Sequence, residues 1–232
     1  WDLACVRQIN PKAEYHFCNE TLRQPFYQGT WRYESCRKHR IFASSCAYPV
    51  KGFHYLLEAF GQIVKTYPDA TLAVPGKSFL TASKLRRTNY QKYLAALAAR
   101  YGVEDKIEFL GSLSGEEMKQ AFLDANVFVL PSTIENSPNS LGEAMLLGVP
   151  CVAADVGGVT TMLRHGLEGE VYPSAAPYML AFYVETVFAR GEAAEAMGAA
   201  ARAHAGVTHD PEKNLADLLE IYERLAKNSA EG

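Results

Sequence analysis

Val127-Phe128-Val129-Leu130-Pro131-Ser132-Thr133-Ile134-Glu135-Asn136-Ser137-Pro138-Asn139-Ser140-Leu141-Gly142-Glu143-Ala144-Met145-Leu146-Leu147-Gly148-Val149-Pro150-Cys151-Val152-Ala153-Ala154 is the stretch that decides the fold. It opens with a short apolar run, passes through a polar loop, continues as a helical pattern over Asn139–Leu147 and returns to an apolar run at Cys151–Ala154. Strand, helix and strand in that order form a βαβ unit, whose two strands run parallel.

The same alternation extends in both directions from residue 41 onward. Strands are predicted at Ile41–Cys46, Thr71–Pro75, Ile107–Leu110, Val127–Leu130, Cys151–Ala154 and Glu170–Tyr172. Helices are predicted at Phe53–Thr66, Arg87–Tyr101, Gly115–Ala125, Asn139–Leu147, Tyr178–Phe188, Ala193–Ala205 and Glu212–Ala226. The first is the clearest, because Phe53, Leu56, Leu57, Phe60, Ile63 and Val64 recur at spacings of three and four. Successive βαβ units imply an α/β fold, a three-layer Rossmann-like parallel sheet with helices on both faces.

Residues 1–40 lack a clean period, yet they hold Trp1, Tyr15, Phe17, Phe26, Tyr27, Trp31 and Tyr33. Two readings stand side by side: a linker folded over the domain, or the remnant of a contact with a neighbouring domain. The expected organisation is therefore an aromatic-rich segment at 1–40, a domain at 41–210 and a carboxyl-terminal helix at 211–232 that packs back toward a missing domain.

The chain's 232 residues and 25.6 kDa suit one large domain rather than two catalytic ones. Its 23 basic and 26 acidic residues leave a net charge of −3, so there is no basic surplus to hold a nucleic acid. Between charged residues the longest gap runs from Val171 to Val184 and includes two prolines, well short of the roughly 20 apolar residues a membrane span needs. Because the chain begins with Trp1, a fragment of a longer protein is expected. Five widely spaced cysteines without a Cys-x-x-Cys pair signal neither a disulfide framework nor a zinc site, and they read as reduced and mostly buried. The six histidines lack ligand spacing, and ordinary structural roles are expected for them.

In an open parallel sheet, ligands bind beyond the carboxyl ends of the strands, so the loop after Leu130 is the first place to look. Ser137 is the predicted N-cap of the following helix, with Pro138 at its first position. The amides of Asn139 and Ser140 then point out of the helix start, where free N–H groups and the helix dipole attract an anion such as phosphate. Glu135 and Glu143 flank that point, eight positions apart. A carboxylate beside a phosphate site commonly accepts hydrogen bonds from a sugar diol, which suggests a sugar nucleotide. On spacing alone, a solvated loop acid and an ordinary helical glutamate explain the same pair.

The run Pro131-Ser132-x-x-Glu135-Asn136-x-Pro138-Asn139-Ser140-Leu141-x-Glu143-Ala144-Met145-x-x-Gly148-x-Pro150-Cys151-Val152-Ala153 resembles the signature of the retaining glycosyltransferases of family 4, or group 1. Lys51-Gly52, Phe109-Leu110-Gly111, Gly157-Gly158 and His165-Gly166 follow in the order expected of that family. The resemblance implies one half of a GT-B fold, the half that binds the nucleotide-sugar donor, facing an amino-terminal Rossmann-like domain across a cleft. It implies that Glu143 holds the ribose and that Glu135 contacts the donor sugar near the reacting carbon. Lys51 would neutralise the diphosphate, and the helix start at Asn139, Ser140 and Leu141 would hold the diphosphate or sugar. Gly111, Ser112 and Leu113 would border the base, with Gly76 in the same substrate-binding set. No metal or other cofactor is implied, since a lysine and a helix start supply the charge stabilisation. The resemblance implies a cytoplasmic setting, either free or peripheral at the inner membrane face as the full-length protein, in polysaccharide biosynthesis.

Three features depart from the family pattern. Phe42 to Val50 contain no cation where an arginine is usual, Thr161 stands where a glutamate is common, and nothing before residue 41 matches the amino-terminal glycine-rich loop and histidine. Other readings fare less well. Gly76-Lys77-Ser78 imitates the end of a P-loop, but the motif needs a glycine where Thr71 stands. No Gly-x-Ser-x-Gly elbow occurs. Lys77, Lys84, Arg86 and Arg87 read as a solvated loop rather than a surface-binding patch. A non-catalytic module that binds a nucleotide sugar or a partner with the same fold is the main alternative.

Overall fold

The computed structural model describes residues 2–81, 83 and 87–231, with side chains described to residue 227, so Lys84 and Arg86 of the basic loop lie outside the described residues. Its strands are β1 (Arg40–Phe42), β2 (Thr71–Val74), β3 (Ile107–Phe109), β4 (Val127–Leu130), β5 (Cys151–Asp155) and β6 (Glu170–Pro173). They form one parallel sheet in the order β3-β2-β1-β4-β5-β6. The helices are α1 (Asp2–Ile9), α2 (Phe53–Thr66), α3 (Asn89–Tyr101), α4 (Gly115–Leu123), α5 (Asn139–Leu147), α6 (Val159–Met162), α7 (Pro177–Arg190), α8 (Ala194–Thr208) and α9 (Pro211–Glu231). The order reverses between β1 and β4, and such a switch point is where a doubly wound sheet opens a crevice at its strand ends.

The alternation of side chains along each strand divides the core into two layers. Ile41, Leu72, Val74, Val127, Val129 and Val152 meet the buried faces of α2, α3 and α7. Their neighbours Phe42, Ala73, Phe128, Leu130 and Ala153 meet α4, α5 and α8 on the other side. Leu22, Phe26, Trp31 and Cys36 complete this second layer and are 0–6% exposed. Trp31 is fixed at both ends, its indole N–H donating to Ala125 O at 2.7 Å and its amide to Leu147 O at 2.8 Å. Each such large side chain taken out of water contributes about 1.5–3 kcal/mol, so residues 22–36 are part of the same core. By contrast, α9 leaves Leu215, Leu218, Leu219, Tyr222 and Leu225 exposed. Among the described residues, no helix is long and apolar enough to cross a membrane.

Several boundaries differ from expectation for physical reasons. β1 ends at Phe42 rather than Cys46, because the chain turns aside after Ala43 donates to Ala73 O. β2 stops before Pro75, which has no N–H to donate. α3 begins two residues late, behind Thr88, which forms a capping box with Gln91. Ser137 is not the cap of α5: Pro138 occupies that place, and the Ser137 hydroxyl points to Met162 Sδ at 3.9 Å. α4 ends at Leu123, α8 runs on to Thr208, and α1 and α6 carry no clear pattern in the sequence. The cysteines are all free, but Cys5 and Cys18 are exposed, and only Cys36 and Cys151 are fully buried. Burial pushes the half-buried Cys46 thiol up to about 11.

Candidate functional site

The strand ends of β1 to β4 open onto a continuous cleft. One part has a volume of about 400 Å³ and is walled by Ser44–Ala47 after β1, Pro75–Lys77 after β2 and Gly111–Leu113 after β3. Its floor is closed by Gly76 and Gly111, which exchange backbone hydrogen bonds at 2.7 and 3.2 Å. Ser44 and Ser45 continue into a tighter part lined by Lys51, Ser132, Glu135 and Ser140.

Two close backbone approaches build that tighter end. The turn Pro49–Lys51 closes with Gly52 at φ +66°, where a Cβ would fall 1.8 Å from Pro131 O. Only glycine lets the chain pass there, and Thr133 N donates to Val50 O at 2.9 Å across the same junction. Gly157 makes the second approach, at φ +54°. A Cβ on it would lie 1.6 Å from Glu135 O, and Gly158 N donates to Asn136 O at 3.0 Å. Lys51 and Glu135 are thereby brought face to face, with Lys51 Nζ 2.6 Å from Glu135 Oε1. Ser132 Oγ donates to the same oxygen at 2.7 Å. Glu135 is only 10% exposed, whereas Lys51 is 37% exposed and keeps a face toward the cleft.

At the start of α5, the amides of Leu141 and Gly142 both donate to Pro138 O. The amides of Asn139 and Ser140 have no acceptor among the described residues, and they supply the two free donors of an anion-binding helix start. Leu141 does not join them. Its side chain is wholly buried in the second core and its amide is spent within the turn.

Glu143 is placed differently from the other candidate residues. One turn into α5, its side chain is 4% exposed, and Arg23 clamps both carboxylate oxygens, Nε to Oε1 at 2.6 Å and Nη2 to Oε2 at 2.8 Å. The carboxylate in turn holds the Arg23 guanidinium above its usual range. An unpaired carboxylate this deeply buried costs several kcal/mol, and the fork from Arg23 offsets that cost. Arg23 belongs to a segment without periodicity and drew no role from the sequence. Lys77, expected in a solvated loop, stands on the cleft wall just beyond the end of β2, a placement its position directly after that strand accounts for. Among the described residues, no cation fills the gap between β1 and Lys51. Arg40, at the start of β1, pairs with Glu108.

Comparisons with known proteins agree with this architecture. The profile of the glycosyl transferases group 1 matches residues 37–204. A D-inositol 3-phosphate glycosyltransferase of Corynebacterium urealyticum is 28% identical over 183 residues, 79% of this chain and 42% of that protein. An uncharacterised glycosyltransferase of Methanocaldococcus jannaschii is 32% identical over 138 residues, 59% of this chain and 32% of the relative. The chain thus spans less than half the length of these curated relatives. Among solved structures, sucrose-phosphate synthase from Thermosynechococcus elongatus superposes with a TM-score of 0.81 at 20% identity, covering 98% of this chain and 57% of that one. Anabaena HepE in complex with UDP gives a TM-score of 0.68 at 26% identity over 82% of this chain and 49% of its own. With the profile covering most of the sheet and the cleft formed at its switch point, the chain belongs to the group 1 glycosyltransferases.

Proposed function

We propose that this chain is the donor-binding half of a retaining glycosyltransferase that moves a hexosyl group from a nucleoside-diphosphate sugar to a glycan, lipid or small-molecule acceptor. The observation that carries the reading is the Lys51–Glu135 contact of 2.6 Å beside the free amides of Asn139 and Ser140. UDP in the HepE relative supports a nucleotide as occupant. The base lies toward Gly76 and Gly111–Leu113, the ribose at Glu143, and the diphosphate between Lys51 and the α5 start. Glu135 faces the donor sugar near the reacting carbon.

The chemistry fits the residues. As the glycosidic bond breaks, negative charge grows on the departing diphosphate, and preorganised donors stabilise that growth without reorganising. Lys51 and the two amides do this without a metal in the proposed scheme. The ion pair links the two tasks, because the carboxylate beside the sugar also holds the cation beside the leaving group. Residues 1–40, with 22–36 folded into this domain's core, act in this scheme as the link to an amino-terminal Rossmann-like domain, α9 packs back toward that domain, and the 232-residue chain alone transfers no sugar.

Calorimetric titration with UDP, GDP, ADP and their sugars tests the reading. One nucleotide is expected to be preferred, and Glu143→Ala to weaken it by at least about tenfold, the loss of a charge-assisted pair of hydrogen bonds. Binding of none of them would overturn the proposal. The missing cation before Lys51 favours one alternative, a binding module without turnover. That reading requires the full-length protein to be inactive with every donor while the nucleotide still binds.

A further inference from the structure

Arg23 lies on no motif, yet its position is firmly built. It precedes the turn Gln24–Tyr27, whose Phe26 is fully buried and packs edge-on against Phe122 at 5.7 Å. The guanidinium stacks over the Phe26 ring at 4.8 Å. Tyr27 pins the turn from the other side, its hydroxyl donating to His209 O at 2.6 Å and accepting from Leu22 N at 3.0 Å. The fork on Glu143 is therefore set by core packing rather than by chance encounter of two surface side chains.

We propose that Arg23 is a positioning residue for nucleoside recognition: by clamping Glu143 it fixes the orientation of a buried carboxylate whose remaining lone pairs receive the two ribose hydroxyls. This rests on the donor-site reading above. A carboxylate offers about four acceptor positions, and the fork takes one on each oxygen. One position per oxygen remains, the number a vicinal diol needs. Without Arg23 the carboxylate, at 4% exposure, would be left buried without the fork that fixes its orientation. His209 also packs against this part of α5, beside Gly142, and burial holds it below the usual histidine range. It does not replace the cation.

The test is titration of the 232-residue chain with UDP, GDP and ADP and with the 2′,3′-dideoxy form of whichever binds. The wild-type chain is expected to favour the ribonucleotide by about tenfold or more, as a site built around hydroxyls rejects the analogue that lacks them. Arg23→Ala is expected to cut that preference to about threefold or less while affinity for the dideoxy form stays unchanged. Arg23→Lys, which keeps the charge and loses the fork, is expected to restore part of the preference, and it keeps the test decisive should the alanine variant not fold. A purely structural role would lower the melting temperature and weaken both nucleotides equally. An unchanged preference in both variants, or tighter ribonucleotide binding without Arg23, would overturn the inference even though the donor site stands. A wild-type chain that binds none of the three nucleotides would overturn the donor-site reading and this one together.

Discussion

Lys51→Ala in the full-length protein is expected to slow sugar transfer by roughly 100- to 1,000-fold, the cost of removing one preorganised charge from a developing oxyanion. Affinity for the nucleoside diphosphate falls less, about tenfold, because in the ground state the diphosphate charge is partly shared with the Asn139 and Ser140 amides. The rate thus drops more than binding, which marks an interaction that strengthens in the transition state. Lys51→Arg is not a rescue. A planar guanidinium presents its donors in a fixed fork, which does not reproduce the single ammonium that meets both Glu135 and the cleft. Steady-state kinetics with the preferred donor check the prediction, and a rate within threefold of wild type would contradict it.

Gly157→Ala is expected to be nearly as damaging, although it removes no charge. Its Cβ would sit 1.6 Å from Glu135 O, and at φ +54° the backbone also opposes any side chain. The left-handed conformation alone costs about 1–2 kcal/mol, which the domain tolerates. The steric conflict does not relax in place, since its partner is backbone, so the loop carrying Glu135 must move. A displacement near 1 Å at a reacting group costs about 100-fold in rate. Gly166→Ala is the control: its φ is +77°, but nothing lies within 4 Å of the added carbon. Both variants are expected to lower the melting temperature slightly, and only Gly157→Ala to lose transfer. Equal activity in the two would show that Glu135 is not held by this approach.

Much of this was legible in the chain. The sheet was readable because parallel strands buried on both faces are short apolar runs, and β4 and β5 punctuate the α5 block without ambiguity. The helix start and the two acids were readable because they lie within nine residues of one another. What was hidden is long-range or steric. Arg23 meets Glu143 across 120 positions, and no period or motif in the segment announces it. Gly52 and Gly157 stood in the sequence as family matches, but their reason, a backbone oxygen under 2 Å from where a Cβ would be, exists only once two loops are brought together. Ser137 misled because its hydroxyl suits a cap; Pro138 took that place, and Ser137 turned toward Met162. Leu141 shared the helix start with Asn139 and Ser140, but the helical rotation turns it into the core.

The central claim is that the cleft at the β1–β4 switch point holds a nucleoside diphosphate in one orientation. A crystal structure of the chain with the nucleotide it prefers tests this most directly. The expected result places the base at Gly76 and Gly111–Leu113, the ribose hydroxyls on Glu143 with Arg23 still clamped behind it, and the diphosphate between Lys51 Nζ and the amides of Asn139 and Ser140. A nucleotide bound outside this cleft, or with its diphosphate turned away from the α5 start, would contradict it.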